Sequence, residues 1–279
     1  MKTKMEPQFS RRASRSLLTF IFGFYFAGCT FSLDWYRQYR AKAAIEKEDY
    51  STALTILQKI MVANPDSAQS LDAARLGGQV AHLNAKNYAL AVDFFKHVVV
   101  RSPDPIERKT AQKNIAQIEF ENLQDFNQAV LEYEKLLRLD NGPDETFRYR
   151  LNLAKSQLRM NNIDQAVTEL DILLSQKHTP DEIFEGRVLK ANTLVAAKRI
   201  NEAAGAWQEI LKEFPEKSKK ENVALNLVVI FEEQKEFSKA IEVLQGMREG
   251  YAHPDFLDIR IARLRERMGN QPGANGLKR

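Results

Sequence analysis

Six alanines recur along this chain at intervals of 37 or 38 residues, and this period constrains the fold more than any other feature of the sequence. Each has an apolar residue three positions before it and large apolar residues four and seven positions after it. Offsets of −3, 0, +4 and +7 lie on one face of an α-helix. We call them the marker alanines: Ala53, Ala91, Ala129, Ala166, Ala203 and Ala240. The pattern predicts a tandem array of one helical unit.

A second helix is predicted before each marker alanine. A small residue lies 12 or 13 positions upstream in five units, and the sixth has valine there: Ala41, Gly78, Ala116, Ala154, Ala191 and Val228. Short polar pairs such as Glu48-Asp49 and Lys198-Arg199 then separate the two helices of a unit. A proline follows each marker alanine by 12 or 14 residues and is predicted to stop the helix. Each unit is therefore expected to be a hairpin of two antiparallel helices.

This combination of small residues, aromatic residues and terminal prolines resembles the tetratricopeptide repeat (TPR) family. The resemblance implies an all-α, TPR-like α-solenoid of six helical hairpins over residues 34–254. Residues 255–268 carry one apolar stripe and are expected to form a C-terminal capping helix, and 269–279 a disordered tail. The period is longer than the usual TPR length of about 34 residues. An extra residue is expected in the inner turn of the second and third units.

The first 28 residues are typical of a bacterial lipoprotein signal peptide. A basic segment precedes a twelve-residue apolar stretch, Leu17 to Gly28, which ends at Cys29, the only cysteine in the chain. This ending resembles a lipobox, and the resemblance implies cleavage before Cys29 and lipidation of its thiol. Residues 29–33 would then be a short lipidated tether. The alternative is an uncleaved N-terminal anchor helix, since residues 17–33 are close to the minimum length that spans a bilayer.

The signal segment also accounts for the charge of the chain. Residues 1–28 contain five basic residues and one acidic residue, which is the whole of the net charge of +4. The rest of the chain is neutral and has no basic run with interleaved aromatics, so no nucleic-acid partner is predicted.

The position after Cys29 bears on the destination of a lipoprotein. In Gram-negative lipoproteins an aspartate there retains the protein at the inner membrane, and this chain has Thr30. The resemblance therefore implies the outer membrane, with the protein facing the periplasm. Trp35, Tyr36 and Tyr39 follow closely, and two interpretations stay open: they lie at the lipid interface, or they pack the first helix.

Motifs that carry chemistry are missing from the sequence. The four histidines lie apart, there is no second cysteine, and no phosphate-binding or nucleophile motif occurs. We therefore expect no enzymatic activity, no metal, no cofactor and no small-molecule substrate.

Binding is the remaining function, and in TPR proteins the first helix of each hairpin lines the binding groove. Periodicity maps polar residues to this face, and the middle of the set is basic, which suits a ligand that carries carboxylates. The predicted groove residues are Gln38, Lys42, Arg75, Gln79, His82, Lys113, Gln117, Arg148, Lys155, Arg159 and Asn192.

The sequence thus predicts a protein-interaction scaffold, anchored by lipid at Cys29, whose partners are other envelope proteins or peptides. In architecture it resembles the TPR lipoprotein subunit of the outer-membrane β-barrel assembly machine. Two alternatives remain: a secretin or pilus pilotin, and an inner-membrane-anchored periplasmic chaperone partner with an uncleaved N-terminal helix.

Overall fold

The computed structural model describes residues 35–249 and 251–270, and these residues contain helices and no strand. The predicted signal peptide, Cys29, the tether and residues 271–279 of the predicted tail lie outside the described residues. A first helix, α1, covers 35–46. The others are α2 (Tyr50–Ala63), α3 (Ala68–Gln79), α4 (Tyr88–Arg101), α5 (Pro105–Gln117), α6 (Phe126–Leu137), α7 (Pro143–Arg159), α8 (Ile163–Leu174), α9 (Pro180–Ala196), α10 (Ile200–Glu213), α11 (Pro215–Lys220), α12 (Ala224–Glu233), α13 (Phe237–Met247) and α14 (Pro254–Gly269).

The helix order confirms the predicted all-α, TPR-like fold. Helices alternate between the two predicted kinds, and α14 follows the sixth hairpin as the capping helix. The helices fall into two compact units, one that ends at Asp125 and one that begins at Phe126. Each unit buries apolar residues of its own.

The marker alanines are the most regular part of this packing. Each of the six is fully buried. The small residues predicted to face them are buried as well: Ala41, Gly78, Ala116, Ala154, Ala191 and Val228. In the second hairpin the two helices lie close together, because a Cβ added to Gly78 on α3 would lie 2.6 Å from the ring of Phe95 on α4. In this hairpin the periodic small residue therefore marks where two helices meet.

Each hairpin turn contains one residue in the left-handed conformation. These residues have φ between 52° and 62°, and none is a glycine: Glu48, Lys86, Gln124, Asn161, Lys198 and Lys235. Each is the first member of a polar pair that the sequence placed between the helices. In the first hairpin the amide of Glu48 donates to the carbonyl of Ile45, and that of Asp49 to the carbonyl of Ala44. Such paired bonds satisfy the last carbonyls of a helix.

The extra residue of the second and third hairpins lies elsewhere than predicted. In each of these hairpins it lies in the last turn of the first helix. This turn is a π-helix, which covers Val80–Asn84 after α3 and Ile118–Leu123 after α5. The amide of Asn87 accordingly bonds the carbonyl of Ala81, six residues earlier, where Asp49 bonds five residues earlier. The prediction of a longer turn was wrong, because a π-turn absorbs one residue and leaves the hairpin turn unchanged.

Two of the six prolines lie where the prediction places them, since Pro65 and Pro103 come two residues after the ends of α2 and α4. The other four lie elsewhere: Pro143, Pro180, Pro215 and Pro254 are the first residues of the following helices. Proline suits this position because its missing N–H would have no intrahelical partner there. In the sixth hairpin the first helix is broken into α11 and α12, with Asn222 in the left-handed conformation between them.

Candidate functional site

Four predicted groove residues of the first unit lie together. Gln38 and Lys42 on α1 and Arg75 and Gln79 on α3 line a cleft of about 300 Å³, with Asp72 at its side. Lys42 and Gln79 are exposed. The predicted face thus forms a polar cleft between the first helices of two successive hairpins.

Arg75 is held by two carboxylates of its own unit. Its Nη2 donates to Oε2 of Glu107 at 2.7 Å, its Nε donates to Oε1 of the same carboxylate, and its Nη1 donates to Oδ1 of Asp72 at 2.7 Å. The Glu107 carboxylate raises the pKa of Arg75, and the Arg75 guanidinium lowers the pKa of Glu107 in return. This two-pronged pair fastens α3 to α5. Arg75 therefore has a structural role, which the sequence mapping did not predict.

The other predicted residues of the first unit have different surroundings. The ring of His82 lies edge-on to Tyr88, with centroids 6.1 Å apart, at the hairpin end of its helix. Gln117 donates from Nε2 to Oε2 of Glu121 at 3.0 Å. Lys113 is exposed. These three residues do not line the cleft.

In the second unit the predicted residues form a basic face on α7. Arg148 and Arg159 are exposed, and neither has an ion-pair partner within 4 Å among the described residues. Lys155 lies between them along the helix, with its Nζ 3.5 Å from Oε1 of Glu185 on α9. Asn192, also on α9, is exposed. Unpaired guanidinium groups on one helix face attract carboxylates.

The second compact unit also contains a cleft, which the sequence did not predict. It has a volume of about 650 Å³ and lies between α12 and α14, where Arg260, Arg263 and Arg267 surround Glu232. The spacing of these arginines, i, i+3 and i+7, was a usable signal. The sequence predicts only a capping helix over residues 255–268, whereas α14 begins at Pro254 as α7, α9 and α11 begin at their prolines.

A serine–histidine pair in the first unit has no catalytic geometry. The hydroxyl of Ser70 donates to the carbonyl of Met61 at 2.7 Å, and Nε2 of His97 lies 2.9 Å from Oγ of Ser70. Ser70 is fully buried, so no substrate reaches its oxygen. The pair ties α4 to the end of α2 and is structural.

The described residues contain neither a metal-binding cluster nor a helix that could span a membrane. In residues 35–249 and 251–270, no group of histidine and acidic side chains is arranged to hold a metal ion. Of the helices within these ranges, none has the length and apolar character that crossing a bilayer requires.

Comparisons with known proteins bear on the fold. No family model and no curated protein matches the sequence. Among solved structures, the Naa15/Naa10 complex bound to HypK-THB matches with 12% identity and a TM-score of 0.57, over 84% of this chain and 39% of that chain. YrrB, a TPR protein with an unusual peptide-binding site, matches with 15% identity and a TM-score of 0.47, over 74% and 97%. At such identities a likeness shows the fold alone, and the match with a TM-score of 0.57 agrees with the all-α helical-repeat fold described above.

Proposed function

We propose that this protein is a non-enzymatic interaction scaffold that binds acidic segments of envelope proteins. The observation that carries the proposal is the basic face of α7, where Arg148 and Arg159 are exposed without ion-pair partners among the described residues. Long cationic side chains on an exposed face lose little solvation when a carboxylate approaches. Binding to these two arginines therefore does not first require an ion pair to break, whereas Lys155 would have to leave Glu185.

The proposal is tested by reversing charge on this face. Arg148, Lys155 and Arg159 are replaced together by Glu, and partners are captured by crosslinking in intact cells followed by pull-down. We expect the specific partner to be lost and the thermal melt of the helices to stay unchanged. A matched control replaces the exposed Lys198, Lys219 and Lys220 by Glu, which changes the net charge equally elsewhere. Undiminished capture by the first variant, or equal loss in both, contradicts the proposal.

The second part of the proposal is a lipid anchor at Cys29 that holds the scaffold at the periplasmic face of the outer membrane. It is supported by the apolar stretch that ends at the only cysteine. It is supported also by the side chains of Trp35, Tyr36 and Tyr39, which are 66%, 52% and 61% exposed. Aromatic rings with a polar edge are favoured where lipid meets water. Exposure on α1 favours the interfacial interpretation over packing of the first helix.

Mass spectrometry of the mature N-terminus tests the anchor. An acylated Cys29 as the first residue supports it, and Cys29→Ala should then release the protein from outer-membrane fractions. An intact Met1 instead supports the inner-membrane chaperone partner with an uncleaved helix. Fractionation of the unmodified protein into the inner membrane also contradicts the proposed location.

A further inference from the structure

The cleft between α12 and α14 combines positive charge with exposed apolar surface. Oε1 of Glu232 accepts from Nε of Arg260 at 2.8 Å, and Oε2 accepts from Nη1 of Arg267 at 3.3 Å. One carboxylate thus balances only one of two guanidinium groups. Arg263 is exposed on the same wall and has no ion-pair partner among the described residues. The cleft consequently carries an excess of two positive charges.

The apolar part of the cleft lies beside the unpaired arginine. Phe256 is 68% exposed and Ile259 is 51% exposed. The two residues are three positions apart, and Arg263 follows Ile259 by four, so all three side chains share one face of α14. Phe and Ile side chains are usually buried in folded proteins. Here Phe256 and Ile259 line the cleft together with the arginines.

We propose that this cleft binds a partner peptide segment in which a large apolar side chain is flanked by carboxylates. The inference rests on the proposed scaffold function and names a second, separate contact for its partner. The apolar side chain would pack against Phe256 and Ile259, and a neighbouring carboxylate would accept from the guanidinium of Arg263. Charge complementarity selects the occupant, because the planar guanidinium group matches a carboxylate with two parallel hydrogen bonds.

A peptide fits these observations better than an anionic membrane. Both oxygens of Glu232 are engaged by Arg260 and Arg267, and the concave cleft beside Arg263 admits single side chains, whereas a membrane presents a continuous sheet of lipid phosphates. A cavity of about 650 Å³ suits inserted side chains.

The test uses the full chain and a fluorescein-labelled synthetic peptide with a central Leu-Phe pair flanked by glutamates. Fluorescence anisotropy should show salt-sensitive binding that is lost when the glutamates are replaced by Gln, and weakened when Leu-Phe is replaced by Ser-Ser. Arg263→Glu should weaken binding about tenfold or more, because it removes an ion pair and adds repulsion. Ile259→Ser should weaken binding through the apolar contact alone.

Arg265→Glu is the matched control. Arg265 lies two positions along the same helix, exposed on another side, and its reversal changes the net charge equally. It should leave binding within about twofold of the parent chain, since exposed charges off the site are screened by salt. Circular dichroism melts verify folding, and Arg263→Gln provides a milder variant that should weaken binding less than Arg263→Glu.

Three results overturn the inference: no binding of the peptide by the parent chain, equal loss with Arg263→Glu and Arg265→Glu, or Arg263-dependent binding of anionic phosphatidylglycerol vesicles in place of the peptide. The α7 variant with three glutamates separates this inference from the scaffold proposal. If it loses the cellular partner but binds the peptide normally, both proposals are supported. If only the peptide result fails, the scaffold proposal stands by itself.

Discussion

A methyl group added to Gly77 would lie 2.6 Å from the ring of Phe94, which is itself fully buried. Real Cβ atoms essentially never approach other atoms so closely, so the ring of Phe94 or one of the two helices would have to move. The contact joins α3 to α4 inside the second hairpin.

Gly77→Ala should therefore destabilise the protein. Alanine in a helix interior is favoured over glycine by about 0.5–1 kcal/mol. Overpacking a filled core costs about 1–3 kcal/mol, so the steric cost should win. Gly205→Ala in α10 is the control, because nothing lies within 4 Å of the added methyl group, and it should raise stability. Urea unfolding of both variants measures the difference, and a Gly77→Ala protein as stable as the parent would refute the close contact.

Ala166→Leu should destabilise the second unit by about 1–3 kcal/mol, because a larger side chain would be forced between two packed helices. Ala166 is fully buried, whereas Ala262 on α14 is exposed. Ala262→Leu should accordingly change the free energy of unfolding by less than about 0.5 kcal/mol. An unchanged melting temperature for Ala166→Leu would show that the marker alanines do not face a helix.

Deleting Leu83 should be tolerated better than a deletion elsewhere in a first helix. Leu83 is 69% exposed within the π-turn, and its removal leaves the number of residues that an ordinary α-turn needs. Deleting Gln157 near the end of α7, which has no π-turn, would shift the following hairpin by one residue. Thermal melts should show a clearly smaller loss for the Leu83 deletion, and equal losses would contradict this explanation of the 38-residue period.

Stability should fall as the pH is lowered through the range of histidine titration. Burial, and then the charge of Arg101, lower the pKa of His97 from its ordinary value of about 6.5. Below that value the unfolded chain takes up a proton that folded His97 resists, so protonation favours unfolding. Melts at neutral and mildly acidic pH should differ less for His97→Gln than for the parent. An equal difference in the parent and in His97→Gln would show that His97 does not cause this pH dependence.

Arg75→Met should cost stability, whereas Lys42→Met from the same cleft should not. The Arg75→Met substitution leaves Glu107 without its main partner. The free energy of unfolding should fall by about 1 kcal/mol, because the pair is partly exposed to water. Lys42 is exposed, and no ion pair or hydrogen bond of its own is seen in the described residues, so its loss should stay within about 0.5 kcal/mol. Chemical denaturation distinguishes the two. Equal stability of the two variants would show that the Arg75–Glu107 pair does not fasten α3 to α5.

Much of the fold could be predicted because each feature of the repeat depends on residues that are close together in the sequence. Helix spacing fixes which residues share a face, and marker alanines such as Ala129 and Ala203 therefore appear in the sequence at the period of the structure. The turn residues Glu48 and Lys198 were found for the same reason. The break at Asn222 was not predicted, since the six-unit period is preserved across it.

The candidate site depended much more on tertiary contacts. Periodicity placed Arg75 and Arg159 on first helices equally well, yet Glu107 binds the first and no described residue pairs with the second. Glu107 lies 32 residues from Arg75, on the next first helix. Helix periodicity does not predict a pairing between residues so far apart in the sequence.

The sequence by itself determined the helical repeat, the positions of the helix contacts and the presence of a signal-like segment before Cys29. The tertiary structure alone decided which charged residues are left for a partner, how an extra residue is wound into Val80–Asn84, and that Arg260, Arg263 and Arg267 share a cleft. The physical reason is the separation along the chain between the residues that interact. Helix formation and small-residue packing follow from neighbours within a few turns, whereas the pairing of a charge depends on whichever helix is packed against it.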